Sequence, residues 1–245
     1  FILTANIARA LGEDSDNEKF TDLASRLKAV MDVKVKGENG LYVDGIGSTH
    51  TSAHSLFIPL AFGMVDSSQR DSFLKALTTK IGEYGGGFPN SVFTAQYLLE
   101  ALFESGEDEL ALSLMLNKTQ RGWMNMLDKY DATLTHEAWD VDFKDNEDWT
   151  HPWGAAPANI IPRFILGINP IAPGWSRWEI KPSRVLKFSA KSQTPTPYGL
   201  IKIFYDYPGR KIVFNVPQGT VATLRSGQLS HQFESGNHEV VWEAQ

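Results

Sequence analysis

Acidic, aromatic and histidine side chains are concentrated between Asp131 and Gly154, in the stretch DATLTHEAWDVDFKDNEDWTHPWG. These 24 residues hold three tryptophans, two histidines and seven carboxylates, without helical or strand periodicity. A long loop inside a compact domain is usually functional or disordered, and disordered segments are poor in aromatic residues. Because a pyranose offers an apolar CH face and a rim of hydroxyl groups, this composition predicts a carbohydrate-processing loop.

Glu137 is the residue of the loop that is best placed to do chemistry. It follows His136, precedes Trp139 by two positions, and the segment closes with His151 and Trp153. An isolated Glu is most often a solvated surface charge, but these neighbours favour a catalytic role. Glycosidases use two carboxylates, an acid for the leaving oxygen and a base or nucleophile on the other face of the sugar. The sequence shows a strong candidate for one of the two.

Other chemistries are less well supported by the same residues. The acidic run from Asp140 to Asp148 lacks the glycine and terminal glutamate of an EF-hand loop, which favours a solvated acidic loop over a calcium site. No HExxH spacing or GxSxG elbow is present, so a metal site and a Ser-His-Asp triad both rank low. We predict no metal or other cofactor, and hydrogen-bonding roles for the four histidines His50, His54, His136 and His151.

The overall composition is that of a globular protein. The 245 residues include 42% hydrophobic and 21% charged residues, carry a formal charge of −6 and contain no cysteine. The absence of a basic footprint argues against nucleic acid as a partner, and no apolar run reaches the ~18 residues of a membrane span. The compartment stays open between periplasmic, secreted and cytoplasmic.

Helical periodicity dominates the chain before the loop and just after it. Ser15 and Glu18 have the spacing of a capping box before a helix that ends ahead of Gly37, and Pro162 should kink the last helix or mark its first turn. Gly85–Gly87 is a connector that could also let the backbone approach a ligand. Hairpins of helices favour an α-toroid over a Rossmann-type sheet. The other helices are expected at 56–64, 68–81, 91–103, 107–116, 119–127 and up to about 167.

The pattern changes to a period of two after a Pro- and Gly-bearing linker at 169–174. Short alternating runs bounded by turn residues predict a small antiparallel β-sandwich. We therefore divide the chain into a helical domain, 1–172, which carries the loop 131–154, and a β-sandwich, 173–245. The alternating residues are Leu186, Phe188, Ala190, Ile201, Ile203, Tyr205, Ile212, Phe214, Val216, Val240 and Trp242.

Four stretches, in order and spacing, resemble the α-L-rhamnosidases of glycoside hydrolase family 78. They are GLYVDGIGSTHTSAHSLFIPLAFGMV, GGGFPNSVFTAQYLLEALFESGEDELALSLM, the T-x-E-x-W element of Thr135, Glu137 and Trp139, and THPWGAAPANIIPRFILGINPIAPGW. EIKPS and TPYGLIKIFY are similar to the family's C-terminal β-domain. The resemblance implies a multidomain protein, the helical half of an (α/α)6 barrel followed by an antiparallel β-sandwich.

The resemblance also implies an inverting hydrolysis of terminal α-L-rhamnosides, with a rhamnose-containing glycoside, oligosaccharide or polysaccharide as the partner. Glu137 matches the general base that activates water, and the Gly85–Gly87 loop would lie near the same rim. The residues expected to contact sugar are Trp139, Trp153, His151, His136 and His50.

One part of the family's pattern has no counterpart. The general acid, a Glu in an arginine-rich loop early in the barrel, is missing, and FILTANIARALG begins in the middle of a helical pattern. We therefore expect this chain to be the C-terminal part of a longer protein, to need the N-terminal part as a partner, and to be inactive alone. Two alternatives stay open: a toroid glycosidase for another sugar, and a non-catalytic carbohydrate-binding module.

Overall fold

The computed structural model describes residues 1–227 and 229–241. The chain forms two compact units, Phe1–Gly154 and Ala155–Gln245. The domain boundary predicted at 172/173 stays a prediction, and the strand position predicted for Trp242 lies outside the described residues.

Most of the expected helices of the first unit form close to their predicted places. Glycines in the left-handed conformation follow two of them, Gly12 with φ 77° and Gly106 with φ 78°, because this backbone is favourable without a Cβ. The short helix expected at 119–127 lies slightly later. The helices are α1 Ile2–Leu11, α2 Asp14–Lys34, α3 Ala53–Ala61, α4 Arg70–Glu83, α5 Ala95–Glu104, α6 Asp108–Met115 and α7 Trp123–Tyr130.

The capping box predicted at Ser15 is wrong. Because α2 begins at Asp14, Ser15 lies inside the first turn, and no side chain caps this end. Asp14 and Asp16 stand in that turn, where negative charge is favourable next to the helix dipole. A serine cap is found instead at α3, where the Ser52 hydroxyl accepts a hydrogen bond from the Ser55 backbone N–H at 3.3 Å.

The core of the first unit lies among α3, α4 and α5. The helix α3 contacts both α4 and α5, and the three helices bury large apolar side chains completely, among them Leu56, Phe57, Leu77, Leu98 and Leu102. The helices α1 and α2 form a neighbouring pair, but α2 has no fully buried residue.

The last predicted helix is interrupted, as expected from its proline. An α-helix, α8 (Ala156–Ile160), continues as a π-helical stretch over Ile161–Ile165, so Pro162 lies near the point of change. Proline has no N–H to donate and its ring crowds the preceding turn, which explains the widened turn. Gly167, with φ 71°, ends the segment.

The second unit contains two β-sheets, with strand orders β1-β2-β6-β7 and β3-β4-β5-β8. The pairs are antiparallel except β2 with β6, which is parallel. Tyr205 is buried, and the rings of Phe214 and Phe233, from different sheets, lie 5.1 Å apart. The strands are β1 Ile168–Pro170, β2 Arg177–Ile180, β3 Ala190–Thr196, β4 Gly199–Asp206, β5 Lys211–Val216, β6 Val221–Ser226, β7 Leu229–Phe233 and β8 Gly236–Val241.

The period-two pattern predicted some strands correctly and missed others. Ile201, Ile203 and Tyr205 alternate towards the core in β4 as expected. Leu186 is buried in a turn and not in a strand, since β3 begins at Ala190. The strands β1 and β2 were missed because they lie in and just after the predicted linker.

Within the described residues, none of the helices combines the length and the apolar character that a membrane span requires.

Candidate functional site

The loop 131–154 folds back on itself. The Glu137 N–H donates to the Asp148 carbonyl at 2.8 Å, and the His151 N–H donates to the Thr135 carbonyl at 2.8 Å. The Thr135 hydroxyl also donates a hydrogen bond to the His151 carbonyl at 2.7 Å. This pairing places the THEAW element beside the DWTHPW element, so Glu137 and His151 become neighbours.

A buried carboxylate, Asp140, anchors the turn of the loop to α7. Its oxygens accept hydrogen bonds from Asn125 Nδ2 at 2.8 Å, Lys129 Nζ at 2.9 Å and the Tyr130 hydroxyl at 2.9 Å. Burial acts to raise the pKa of Asp140, but these donors and the Asp142 N–H outweigh it and hold the pKa well below its usual range. Asp140 is therefore a structural anion, which the sequence did not distinguish from the solvated acids around it.

Two tryptophans attach the loop to the rest of the unit. Trp139 Nε1 donates to the Asn90 carbonyl at 2.6 Å, and Trp123 Nε1 donates to the Gly154 carbonyl at 2.8 Å. The Trp139 ring stacks on Phe88 at 4.6 Å and meets Trp123 edge-on at 5.0 Å. Both arms of the loop, the first at Trp139 and the second ending at Gly154, are thus attached to buried aromatic side chains.

The burial of Trp139 does not agree with the sugar-stacking role that the resemblance implies for it. Only 2% of the residue is exposed, so no ring face is open to a sugar in this arrangement. Its hydrogen bond to Asn90 reaches 49 residues along the chain, and such distant contacts cannot be read from local sequence. The structure gives Trp139 a supporting place behind the loop.

His136 is also buried. Its ring stacks on Trp149 at 4.9 Å, and its Nδ1 lies 3.5 Å from Glu147 Oε1, with both side chains almost fully enclosed. Burial is the main reason that the pKa of Glu147 is raised. His136 is therefore placed among buried groups and not on an open surface, which does not favour direct sugar contact.

Glu137 lies at the edge of the loop with 15% of its side chain exposed. Lys144 Nζ forms an ion pair with Glu137 Oε2, and the Asp148 N–H approaches the same oxygen at 3.4 Å. Within the described residues, Oε1 accepts no hydrogen bond. The Lys144 ammonium is the main cause of the lowered pKa of Glu137, opposed by partial burial and assisted by Asp148 and His151.

His151 and Trp153 share the exposed side of the loop with Glu137. His151 Nδ1 faces Asp148 Oδ2 at 3.4 Å, and the rings of His151 and Trp153 lie 4.0 Å apart. Trp153 is 46% exposed and Phe93, 5.5 Å away, is 51% exposed. The structure thus brings the candidate base, a histidine and two accessible aromatic rings to one surface.

His50 lies in a different cluster. Its Nδ1 is 2.6 Å from Asp44 Oδ2, and Asp44 Oδ1 accepts hydrogen bonds from the Ser55 hydroxyl at 2.6 Å and the Ser52 N–H at 2.9 Å. The Ser55 hydrogen bond, followed by those of His50 and Ser52, keeps the pKa of Asp44 well below its usual range. His54 Nε2 lies 3.2 Å from the Thr94 hydroxyl, within hydrogen-bond distance.

The Gly85–Gly87 loop packs against the segment before α7. A Cβ on Gly87 would come within 2.6 Å of the Thr119 hydroxyl, so a close backbone approach explains this glycine. Arg121 lies over the rings of both Tyr84 and Phe143, 4.9 Å from each centroid. The Gly-rich turn is therefore connected to the functional loop through Arg121.

Among residues 1–227 and 229–241, no group of three His, Asp or Glu side chains is arranged to hold a metal ion.

Three residues of the site were missed by the sequence analysis. Lys144 carried no signal, because its partnership with Glu137 depends on the fold-back of the loop. Phe93 lies in the 3-10 turn just before α5 and was assigned to no site, although it is exposed beside Trp153. Asn125 belongs to a short helix whose polar face, with Lys129 and Tyr130, could have indicated an anion contact.

Two family models match consecutive parts of the chain. The bacterial alpha-L-rhamnosidase 6 hairpin glycosidase domain matches residues 2–165, and the bacterial alpha-L-rhamnosidase C-terminal domain matches residues 167–244. A curated alpha-L-rhamnosidase of Formosa agariphila is 24% identical over 234 residues, which cover 91% of this chain and 24% of that protein. The chain thus spans about a quarter of the length of this relative.

Solved structures show the same fold. The α-L-rhamnosidase of Dictyoglumus thermophilum superimposes with a TM-score of 0.83 at 20% identity, covering 96% of this chain and 30% of that one. That of Aspergillus terreus gives 0.83 at 21% identity, with 96% and 28% covered. The Streptomyces avermitilis enzyme, in complex with L-rhamnose, gives 0.80 at 19% identity, with 96% and 25% covered. The predicted fold class, barrel helices followed by an antiparallel-rich β-domain, is confirmed.

Proposed function

The chain belongs to the bacterial α-L-rhamnosidase family, and on this basis we propose that it forms the general-base side of a glycosidase active site for terminal α-L-rhamnosides. The reaction proposed is hydrolysis with inversion. Its base is Glu137, and its sugar-contacting surface is the exposed side of the loop 131–154.

In this reaction a water oxygen attacks the anomeric carbon while the bond to the aglycone oxygen breaks. The Glu137 carboxylate takes a proton from the water, and a general acid donates a proton to the departing oxygen. The base must be ionised before each turnover. Because the ion pair with Lys144 lowers the pKa of Glu137, the carboxylate is ready to act as a base at neutral pH.

The observation that carries the proposal is the unequal environment of the two Glu137 oxygens. Oε2 is held by Lys144 and the Asp148 N–H, whereas Oε1 accepts no hydrogen bond from the described residues. A general base needs one oxygen within hydrogen-bond reach of the attacking water. Oε1 is available for this role, on the side of the loop that also carries His151 and the exposed Trp153 ring, an aromatic face that suits a sugar.

Sugar contact is proposed for Trp153 and His151, which lie on the accessible side of the loop. Trp139 and His136 are proposed to act from behind it, by holding the THEAW element in place. His50, in its cluster with Asp44, remains a prediction for a more distant part of the rim.

The general acid is proposed to come from the N-terminal part of a longer protein. Without it, the glycosidic oxygen would leave unprotonated, and general acid assistance contributes roughly 10²–10⁴-fold. Inverting enzymes hold the two carboxyl groups ~6.5–9.5 Å apart to admit a water. That spacing requires the rest of the barrel as the partner of this chain.

The test is hydrolysis of an aryl α-L-rhamnoside by the parent protein, the longer polypeptide of which we expect this chain to be a part. Glu137→Gln should lower kcat by at least about 10²-fold, the lower bound for loss of a general base. The KM should stay similar, because the base acts in the transition state.

Asp145→Asn is the matched control, since Asp145 is an exposed acid of the same loop and should retain full turnover. Unchanged kcat in Glu137→Gln would show that Glu137 is not the base. Turnover of another glycoside but not of rhamnosides would keep the mechanism and change the sugar, and binding without turnover of any glycoside would favour a binding module.

A further inference from the structure

We propose that Lys144 is a positioning residue for the candidate base: it holds Oε2 of Glu137 so that Oε1 is presented to the attacking water. This inference rests on the proposed function of Glu137. It concerns a residue that does not touch the sugar and that acts through its partner.

The contacts of Lys144 distinguish it from an ordinary surface lysine. Its ammonium pairs with Glu137, whose side chain is only 15% exposed. Its backbone N–H donates to the Val141 carbonyl at 3.3 Å, and its carbonyl accepts from the Glu147 N–H at 3.2 Å. Hydrogen bonds on both sides therefore hold the backbone that carries the Lys144 side chain.

The turn that carries Lys144 is itself attached to the core. The 3-10 turn Val141–Phe143 begins at Asp140, whose side chain accepts from the Asp142 N–H at 3.1 Å. Asp140 is in turn held by Asn125 and Lys129. The backbone that carries the Lys144 side chain is thus attached to a buried network.

The charged groups found to act on Glu137 among the described residues belong to its own loop. Lys144 and His151 favour its ionised form. Asp148 contributes its backbone N–H to Glu137 and its carboxylate to His151, while Glu147 lies close enough to interact electrostatically with Glu137. Lys144 is the cation in direct contact, so its removal should change both the orientation and the ionisation of the base.

The first measurement is a carbon-detected NMR titration of the Glu137 carboxyl group in the 245-residue chain. Lys144→Met should raise the pKa of Glu137 towards the ordinary value of a glutamate, and Lys144→Arg should largely restore it because the charge is kept. Lys118→Met is the matched control, since Lys118 pairs with the exposed Asp128 at 3.0 Å and should leave Glu137 unchanged.

The second measurement is the pH profile of kcat in the parent protein. The ionised fraction of a base falls tenfold for each pH unit below its pKa. Because Lys144→Met should raise the pKa of Glu137, it should move the acid limb of the profile to higher pH. At neutral pH, kcat should fall about tenfold or more from misorientation of the base, with KM unchanged and with rescue in Lys144→Arg.

The outcomes separate the two proposals. An unmoved pKa of Glu137 in Lys144→Met would overturn the role of Lys144, as would a moved pKa with an unchanged acid limb and kcat. Full turnover in Glu137→Gln would instead overturn the proposed function itself. A purely structural role would lower kcat without moving the acid limb and without rescue by arginine.

Discussion

Asp140 shows how much a single residue of the loop contributes to holding the candidate base in place. It is fully buried and accepts hydrogen bonds from three side chains of one helix, α7. A buried charge without partners would be costly, so the anion and its donors stabilise the fold only together.

We predict that Asp140→Asn destabilises the first unit by about 1.5–3 kcal/mol, the range for hydrogen bonds to a charged group. An amide keeps the size but replaces an acceptor by a donor that faces Asn125 and Lys129. The measurement is urea unfolding followed by circular dichroism and tryptophan fluorescence, with Asp145→Asn as the neutral comparison.

The same residue predicts a pH dependence. Because the folded-state pKa of Asp140 is lowered, its contribution to stability is complete above the unfolded value of ~3.9 and is lost as the pH falls through the folded value. The difference in unfolding free energy between wild type and Asp140→Asn should therefore shrink below about pH 4. An equal difference at pH 3 and pH 7 would contradict this account.

At the scale of elements, the site depends on how closely the two arms of the loop pack. Gly154 closes the second arm and is buried, with its carbonyl bonded to Trp123. A Cβ at this position would lie 2.9 Å from Thr135 Cβ and 2.9 Å from Val92 Cγ1. The absence of a side chain at Gly154 is therefore what lets the arms meet.

We predict that Gly154→Ala lowers kcat in the parent protein by about 10–100-fold, since misplacement by ~1 Å can cost 10²-fold. The added methyl must push the His151–Trp153 segment away from Thr135. The measurement is aryl rhamnoside hydrolysis, with a melting curve to verify folding. Gly45→Ala, which places its Cβ in open space, should behave as wild type, and equal effects of the two changes would argue against the packing explanation.

At the scale of the whole molecule, apolar side chains are exposed on α1 and α2. These neighbouring helices present, among others, Leu3, Ile7, Leu27, Val30 and Val33 to solvent. Exposed apolar surface of this kind marks an interaction site.

We predict that the 245-residue chain associates with itself through this surface, because burial of apolar area is favourable. The double substitution Ile7→Lys/Val33→Lys should lower the weight-average mass in sedimentation velocity. Thr78→Lys, on the exposed side of α4, adds charge elsewhere and should not. A wild-type chain that sediments as a monomer at all concentrations would refute the prediction.

The local sequence pattern was sufficient to predict elements whose buried residues repeat with a single period. The apolar stripe of α5 predicted its buried face, including Leu99 and Leu102, and the alternation of Ile201 and Ile203 predicted β4. Glycine at the end of α5 marked its stop. In each case the contacts that matter lie within a few residues of one another, so the sequence records them.

The candidate site was only partly predictable for the opposite reason. Trp139 and Trp153 stand in the same aperiodic loop, yet the first is buried and the second exposed. The difference depends on Phe88 and Asn90, which contact Trp139 from a distant part of the chain. In a loop without periodicity, the sequence has no repeating pattern from which the buried side chains can be predicted.

By itself the sequence determined the family, the helical and β parts, and Glu137 as the candidate base. Only the tertiary structure decided that Trp139 and His136 lie behind the loop, that His151 and Trp153 lie with Glu137, and that Lys144 holds the carboxylate. The physical reason is that side-chain type is local, whereas burial and ion pairing are set by the fold-back of the loop and by its anchors in the core.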